Sequence, residues 1–162
     1  MKYSKQVINN TVLRYMSEGM NNDDILDSFL MMKMSNDFNE EYSLGKKAPS
    51  LSDIKKELLG TDVMEEKDYN VKMFGIVNIS VTRLSVKISP TYTLNIENVR
   101  GALQAKLNEK NRTTMSLQTT KAKDVAMWII RQKENYENYL DEWNSVMKAV
   151  SKKAKGNRMS ML

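Results

Sequence analysis

The sequence predicts an α+β protein with a helical N-terminal part, a small antiparallel sheet and a long amphipathic C-terminal helix. Apolar residues recur at helical spacing before residue 60, alternate with a period of two between residues 69 and 89, and follow a heptad pattern near the C-terminus. The 162 residues therefore divide into parts 1–68, 69–112 and 120–162, which can also form one compact domain.

The N-terminal part predicts three helices. Residues 4–18 carry apolar side chains at i, i+4, i+7 and i+8, and a glycine follows at the expected end of the helix. Residues 21–24 provide cap candidates and first-turn acids for a second helix, which is expected to run to about Met34, and the polar residues 35–49 predict a loop. Ser50 and Asp53 match a capping pattern, which predicts a short helix Leu51–Leu59.

The first two helices, joined through Gly19, have the spacing of a helix–turn–helix motif. The second helix, however, begins with Asp23, Asp24 and Asp27, and phosphates repel an acidic helix. We therefore expect an αα-hairpin with a core or partner-binding role.

The middle part predicts strands. Alternating Val and Ile residues over Tyr69–Ser89 change parity at Thr82-Arg83, which predicts two antiparallel strands with a turn or bulge between them. Tyr92, Leu94 and Ile96 predict a third short strand. The apolar stripe from Ile96 to Leu107 predicts a helix capped by Asn95, and residues 108–119 predict a polar loop.

The C-terminal part predicts a helix from about Thr120 to Ser151. We call its apolar stripe the heptad seam, and its residues are Val125, Ile129, Gln132, Tyr136, Tyr139, Trp143, Val146 and Val150. Such a run indicates a coiled-coil-like face, and a buried Gln132 would help to fix its register. The apolar members of the seam are the predicted face for a homodimer or another protein partner: Val125, Ile129, Tyr136, Tyr139, Trp143, Val146 and Val150.

Composition argues against most catalytic mechanisms. The chain has neither His nor Cys, so the common general base, the thiolate nucleophile and the usual zinc ligands are missing. Asp23 and Asp27 lie one helical turn apart and could share Mg²⁺, but acidic residues in a first turn are ordinary cap features. We expect no catalytic residue, no metal and no cofactor, and therefore a protein that is not an enzyme.

The charge is strongly asymmetric. Residues 1–70 carry 9 Lys+Arg and 13 Asp+Glu, whereas residues 71–162 carry 16 Lys+Arg and 7 Asp+Glu. A basic half beside an acidic half favours binding to nucleic acid or another polyanion. We expect weakly sequence-selective binding of duplex DNA, as in a regulatory or nucleoid-type protein.

The predicted nucleic-acid contacts lie on the sheet, on the helices that flank it and on a basic tail, which we also call the basic segment and which covers residues 152–158. Arg83 is expected at a hairpin tip, and Arg100 and Gln104 are expected one turn apart on a helix that could enter a groove. The full set is Arg83, Lys87, Arg100, Lys106, Arg112, Lys121, Lys123, Lys152, Lys153, Lys155 and Arg158.

Two alternatives remain open at this point. The chain can instead be an adaptor, inhibitor or assembly subunit that binds a protein through its acidic N-terminal helices or its C-terminal helix. Trp128, Tyr136, Tyr139 and Trp143 can also stack on exposed bases, although heptad spacing favours packing. No apolar run approaches the length of a membrane span, so we expect a cytoplasmic location without membrane or small-molecule partners.

Overall fold

The structure, a computed structural model, describes residues 3–41, 47–59, 76–79, 83–109 and 113–160. Side-chain burial is described for these residues except 39–41, 59, 76–79 and 151–160. Within this part of the chain, the elements are α1 (Lys5–Ser17), α2 (Asn22–Glu41), α3 (Leu51–Leu59), β1 (Ile76–Ile79), β2 (Arg83–Lys87), β3 (Thr93–Val99), β4 (Ala102–Leu107), β5 (Met115–Leu117) and α4 (Ala122–Ser160).

The strands form one antiparallel sheet in chain order, β1-β2-β3-β4-β5. The register aligns Leu84 with Ile96, Ile96 with Ala105, and Ala105 with Met115, so one face of the sheet is apolar. The pairing of β1 with β2 is irregular between Ile76 and Asn78, as at a β-bulge. A sheet with one apolar face must be covered by other elements, which here are helices.

The first two helices form an αα-hairpin. Ser4 caps α1 by accepting a 3.1 Å hydrogen bond from the backbone N–H of Val7. Gly19 ends the helix at φ 75°, and the backbone N–H of Met20 donates to the Tyr15 carbonyl at 3.1 Å, as in a Schellman motif. These local signals bring α2 back against α1.

One continuous core contains side chains from all three parts of the chain. The helix α2 contacts α1, α4 and the apolar face of the sheet, and α3 packs against α4. Phe29, Leu30 and Phe38 of α2 are each at most 2% exposed, so this helix is buried on more than one side. In α3, Ser50 accepts the expected capping bond from the Asp53 backbone N–H at 3.1 Å.

The prediction for residues 35–49 is wrong over its first part. The helix α2 continues to Glu41 through Ser35, Asn36 and Asp37. Phe38 explains the extension, because it lies one helical turn beyond Met34 on a buried stripe and packs edge-on against Trp128 at 5.8 Å. Burial of that stripe outweighs the weak helix propensity of the polar residues between.

The predicted helix from Ile96 to Leu107 is wrong, because the segment forms the β3–β4 hairpin. Arg100 and Gly101 are the two central turn residues, and both have positive φ, 54° and 83°. A type I′ hairpin turn needs this conformation at both positions. The Asn98 side chain accepts a 2.9 Å hydrogen bond from the Gly101 backbone N–H, which further stabilises the turn.

The segment 108–119 contains a strand that was not predicted. The predicted loop 108–119 contains β5, which pairs with β4 through Leu117 and Leu103. Residues 69–75 and 80–82, which include the predicted turn at Thr82, lie outside the described residues. The predicted C-terminal helix is confirmed, and at 39 residues it is longer than expected.

Candidate functional site

Two of the predicted cations, Arg83 and Lys106, lie on the outer face of the sheet among carboxylates and amides. Arg83 begins β2 rather than occupying a hairpin tip, and its guanidinium contacts Asn95 at 3.2 Å. Glu97 lies 4.0 Å from Arg83 Nε and 3.5 Å from Lys106 Nζ, and Arg83 also pairs with Glu109. These cations are therefore engaged within the chain.

Two uncharged members of the same cluster are buried. Ser85 and Asn95 are only 5% and 3% exposed, and the Ser85 hydroxyl donates a 2.7 Å hydrogen bond to Asn95 Oδ1. A buried amide with bonded partners holds its neighbours in fixed positions. We conclude that the cluster joins neighbouring strands of the sheet, and that a phosphate would have to compete with Glu97 for Arg83 and Lys106.

Arg100, and not Arg83, occupies a hairpin tip, that of the β3–β4 hairpin. Its side chain is exposed beside Gly101, and the turn projects it from the end of the sheet. Arg100 and Gln104 do not share a helix face, because Gln104 lies in β4 opposite Glu97 and Ser116. The predicted insertion of a helix that carries both residues into a groove is therefore wrong.

Two further exposed cations lie at the same end of the sheet as Arg100. The antiparallel register places Leu117, the last residue of β5, beside Leu103 near the start of β4. Lys121 and Lys123 follow at the start of α4, and both are exposed. Lys87 is exposed as well, but it ends β2 at the opposite end of the sheet.

The basic tail continues the helix α4. The backbone is helical through Ser160, and Lys148 is exposed. Lys152 and Lys155 follow Lys148 at intervals of four and three residues, so the three positions share one stripe of the helix. Lys153 and Arg158 lie on the same helical segment, whereas Arg112 lies outside the described residues.

The heptad seam packs inside the chain. Val125, Ile129 and Gln132 are fully buried, and Trp143 is 9% exposed beside the Phe29 ring at 5.2 Å. Tyr139 and Val150 are also buried, and Tyr136 and Val146 are partly buried against the same core. The structure thus places the predicted oligomer or partner face largely in the core. Base stacking by Trp128 is excluded, because its ring is fully buried.

Polar groups connect the seam to α2. The Trp128 indole N–H donates to the Met34 carbonyl at 2.9 Å, and Gln132 donates to Asp37 at 2.7 Å. Tyr139 donates its hydroxyl hydrogen to Gln132 Oε1 at 3.0 Å. Gln132 therefore sets the register between α2 and α4 within one chain.

Two buried tyrosines have perturbed titration. Burial, followed by the charge of Asp37, raises the pKa of Tyr139 to about 12. Burial and then the carboxylate of Asp27 raise the pKa of Tyr92 well above its ordinary value. Both phenols belong to the helix–helix and helix–sheet packing, so these shifts report on the core.

The described residues contain no group of three or more Asp or Glu side chains placed to hold a metal ion. In the same part of the chain, none of the helices combines the length and apolar content that crossing a bilayer needs. Comparison with protein-family models, curated proteins and solved structures finds no match to the chain.

Proposed function

We propose that the chain binds nucleic acid without catalysis, with duplex DNA as the first candidate, through cations of its C-terminal half. One observation carries the proposal: α4 runs unbroken into the basic segment, so that Lys148, Lys152 and Lys155 repeat along one stripe. A straight row of cations matches the regular negative charge of a duplex backbone.

The exposed cations at the other end of α4 add a second contact region. Arg100, Lys121 and Lys123 gather at one end of the sheet, and none of them has an ion pair among the described residues. Their contacts would be with phosphates, which position a protein on a duplex without reading its sequence. Binding would therefore be weakly sequence-selective, which suits a regulatory or nucleoid-type protein of the cytoplasm.

The length of α4 favours simultaneous contact by both regions. At 1.5 Å per residue, the 39 residues of α4 extend over about 58 Å, which is longer than the body of a small domain. A duplex lying along this helix would meet Lys121 and Lys123 first and the basic segment about 40 Å further on. Neither region then needs a high affinity by itself.

Fluorescence anisotropy with a labelled random-sequence duplex tests this proposal at low salt. We expect saturable binding that weakens steeply as salt is added, because released counterions drive it. Unlabelled duplexes of different sequence should compete within a few-fold of one another. Absence of binding at low salt would overturn the proposal, whereas stronger competition by duplex RNA or single strands would change only the preferred nucleic acid.

A further inference from the structure

A groove lies between α1 and the C-terminal third of α4. It consists of two adjoining cavities of about 490 and 480 Å³, which share Lys5, Asn9, Val146 and Ala149 in their walls. Ile8 and Phe29 form the floor of the first cavity, and Leu13 and Val150 lie at the far end of the second. Each cavity is in the size range of ligand and peptide sites.

The groove exists because α1 and α4 both pack on α2. Among the described helices, both α1 and α4 contact α2, and Trp128 and Trp143 of α4 pack on aromatic rings of α2. Space is left between α1 and α4. The α4 wall carries small, exposed side chains at Ser145 and Ala149. Small residues allow the backbone of an added helix to approach closely.

The charges in the groove favour an acidic occupant. Lys33 and Glu142 pair at 2.6 Å and cancel, so the exposed Lys5 leaves one uncompensated positive charge among the described lining residues. The first turn of α1 has no acidic residue, so its positive helix end adds to the attraction.

We propose that this groove binds an acidic amphipathic helix of a partner protein. From Lys5 to Leu13 the wall is about 12 Å long, which accommodates two turns of helix. Apolar side chains of the occupant at i, i+3, i+4 and i+7 would pack on Ile8 and Val146, with flanking carboxylates near Lys5. The positions of Lys148, Lys152 and Lys155 lie on the opposite side of the α4 backbone from Val146 and Ala149, so the inference goes beyond nucleic-acid binding.

A pair of designed, fluorescently labelled helical peptides provides the probe. Both carry Leu at i, i+3, i+4 and i+7; one has Glu and the other Lys at the remaining surface positions. By anisotropy in about 0.15 M salt, the Glu peptide should bind the full chain at least about tenfold more tightly than the Lys peptide. Equal affinities, or no binding of the Glu peptide, would overturn the proposal.

Substitutions locate the binding. Ala149→Trp fills the groove from an exposed position and should weaken binding of the Glu peptide at least about tenfold, and Lys5→Glu should also weaken it. Ala102→Trp, at an exposed alanine beside the β3–β4 turn, is the matched control and should leave affinity unchanged. Unchanged affinity in Ala149→Trp would contradict a site in this groove. Circular dichroism verifies that each variant is folded.

The two proposals can fail separately. Changing Lys148, Lys152 and Lys155 together to Gln should weaken duplex binding and preserve Glu-peptide binding. Ala149→Trp should weaken Glu-peptide binding and preserve duplex binding. A different outcome is that the wild-type chain binds an apolar dye such as ANS, that Ala149→Trp abolishes this binding, and that neither protein binds the Glu peptide. The groove would then take a small apolar molecule, and the helix proposal would be overturned.

Discussion

Gln132 donates a 2.7 Å hydrogen bond to Asp37, although the two residues are 95 positions apart in the chain. Gln132 is fully buried and also accepts a hydrogen bond from the Tyr139 hydroxyl. An amide at a heptad core position is thereby satisfied within one chain, without a second copy. The contact therefore helps to fix how α2 and α4 align.

Replacing Gln132 tests this relationship. Gln132→Leu keeps similar volume but leaves Asp37 and the Tyr139 hydroxyl with fewer partners, so the free energy of unfolding should fall by about 1–3 kcal/mol. Gln118→Leu, at an exposed position before α4, is the control and should change it by less than about 0.5 kcal/mol. Urea titration gives both values, and equal stability of the two variants would contradict a structural role for the amide.

Trp143 tests the placement of the seam. Its ring is 9% exposed and packs against Phe29, so Trp143→Ala should lower the free energy of unfolding by about 3–5 kcal/mol. Met127, on the same helix, is 46% exposed, so Met127→Ala should change the free energy of unfolding little. Denaturation gives the stabilities and light scattering gives the mass. If Trp143→Ala instead converted an oligomer into a stable monomer, the seam would be an intermolecular face.

The hairpin turn offers a stabilising change. Arg100 has a φ of 54°, a conformation in which Asn is favoured over Arg, and Asn-Gly is the preferred pair for this turn. Arg100→Asn should therefore raise the free energy of unfolding by about 0.5–1 kcal/mol while weakening duplex binding through the loss of one cation. Thermal denaturation and anisotropy measure the two effects, and lower stability would contradict the turn geometry.

High pH should destabilise the protein through its buried tyrosines. The folded state holds the Tyr139 proton up to a pKa of about 12, whereas the unfolded state loses it near 10. The unfolded state then binds fewer protons in this interval, so stability should fall from about pH 10 to 12, with a change of the same sign from Tyr92.

Tyr139→Phe is the control for that titration. It lacks the phenol, so its stability should fall less than that of the wild-type chain across the same pH interval, even though it starts lower after losing the hydrogen bond to Gln132. Parallel decreases in the two proteins would show that Tyr139 does not contribute.

Secondary structure was predicted correctly where one strong local pattern determines it. Gly19 after an apolar stripe, the Ser50–Asp53 cap and the heptad seam predicted the ends of α1, the whole of α3 and the body of α4. The alternation of Val and Ile likewise predicted antiparallel strands in the middle part. Each of these signals is contained within a few helical turns or one strand.

The β3–β4 hairpin shows why local patterns failed elsewhere. A two-residue turn brings Ile96 and Leu103 onto the same face of the sheet, and their spacing of seven also fits two turns of a helix. Only pairing with β2 and β5 decides between these structures, and that pairing is not visible locally. Gly101 and the β-branched Val99 were the available hints that the segment was not helical.

The candidate surfaces were predictable only in part. The basic segment is contiguous in the sequence, so its charge was evident, but the neutralisation of Arg83 and Lys106 depends on Glu97 in a neighbouring strand. The groove was missed because its walls, α1 and α4, are about 130 residues apart in the chain and only their packing on α2 creates it. Of the residues that line the groove, Val146 and Val150 were identified in the sequence, but as members of the heptad seam.

The dependence of duplex affinity on salt is the most direct test of nucleic-acid binding by the stripe of Lys148, Lys152 and Lys155. Each phosphate contact contributes about 0.9 to the log–log slope, so changing these three lysines to Gln should flatten it by about 2 to 3. Changing Arg14, Lys47 and Lys56 to Gln removes the same charge from exposed N-terminal positions and should alter the slope much less. Equal slopes for the two triple variants would contradict binding through the α4 stripe.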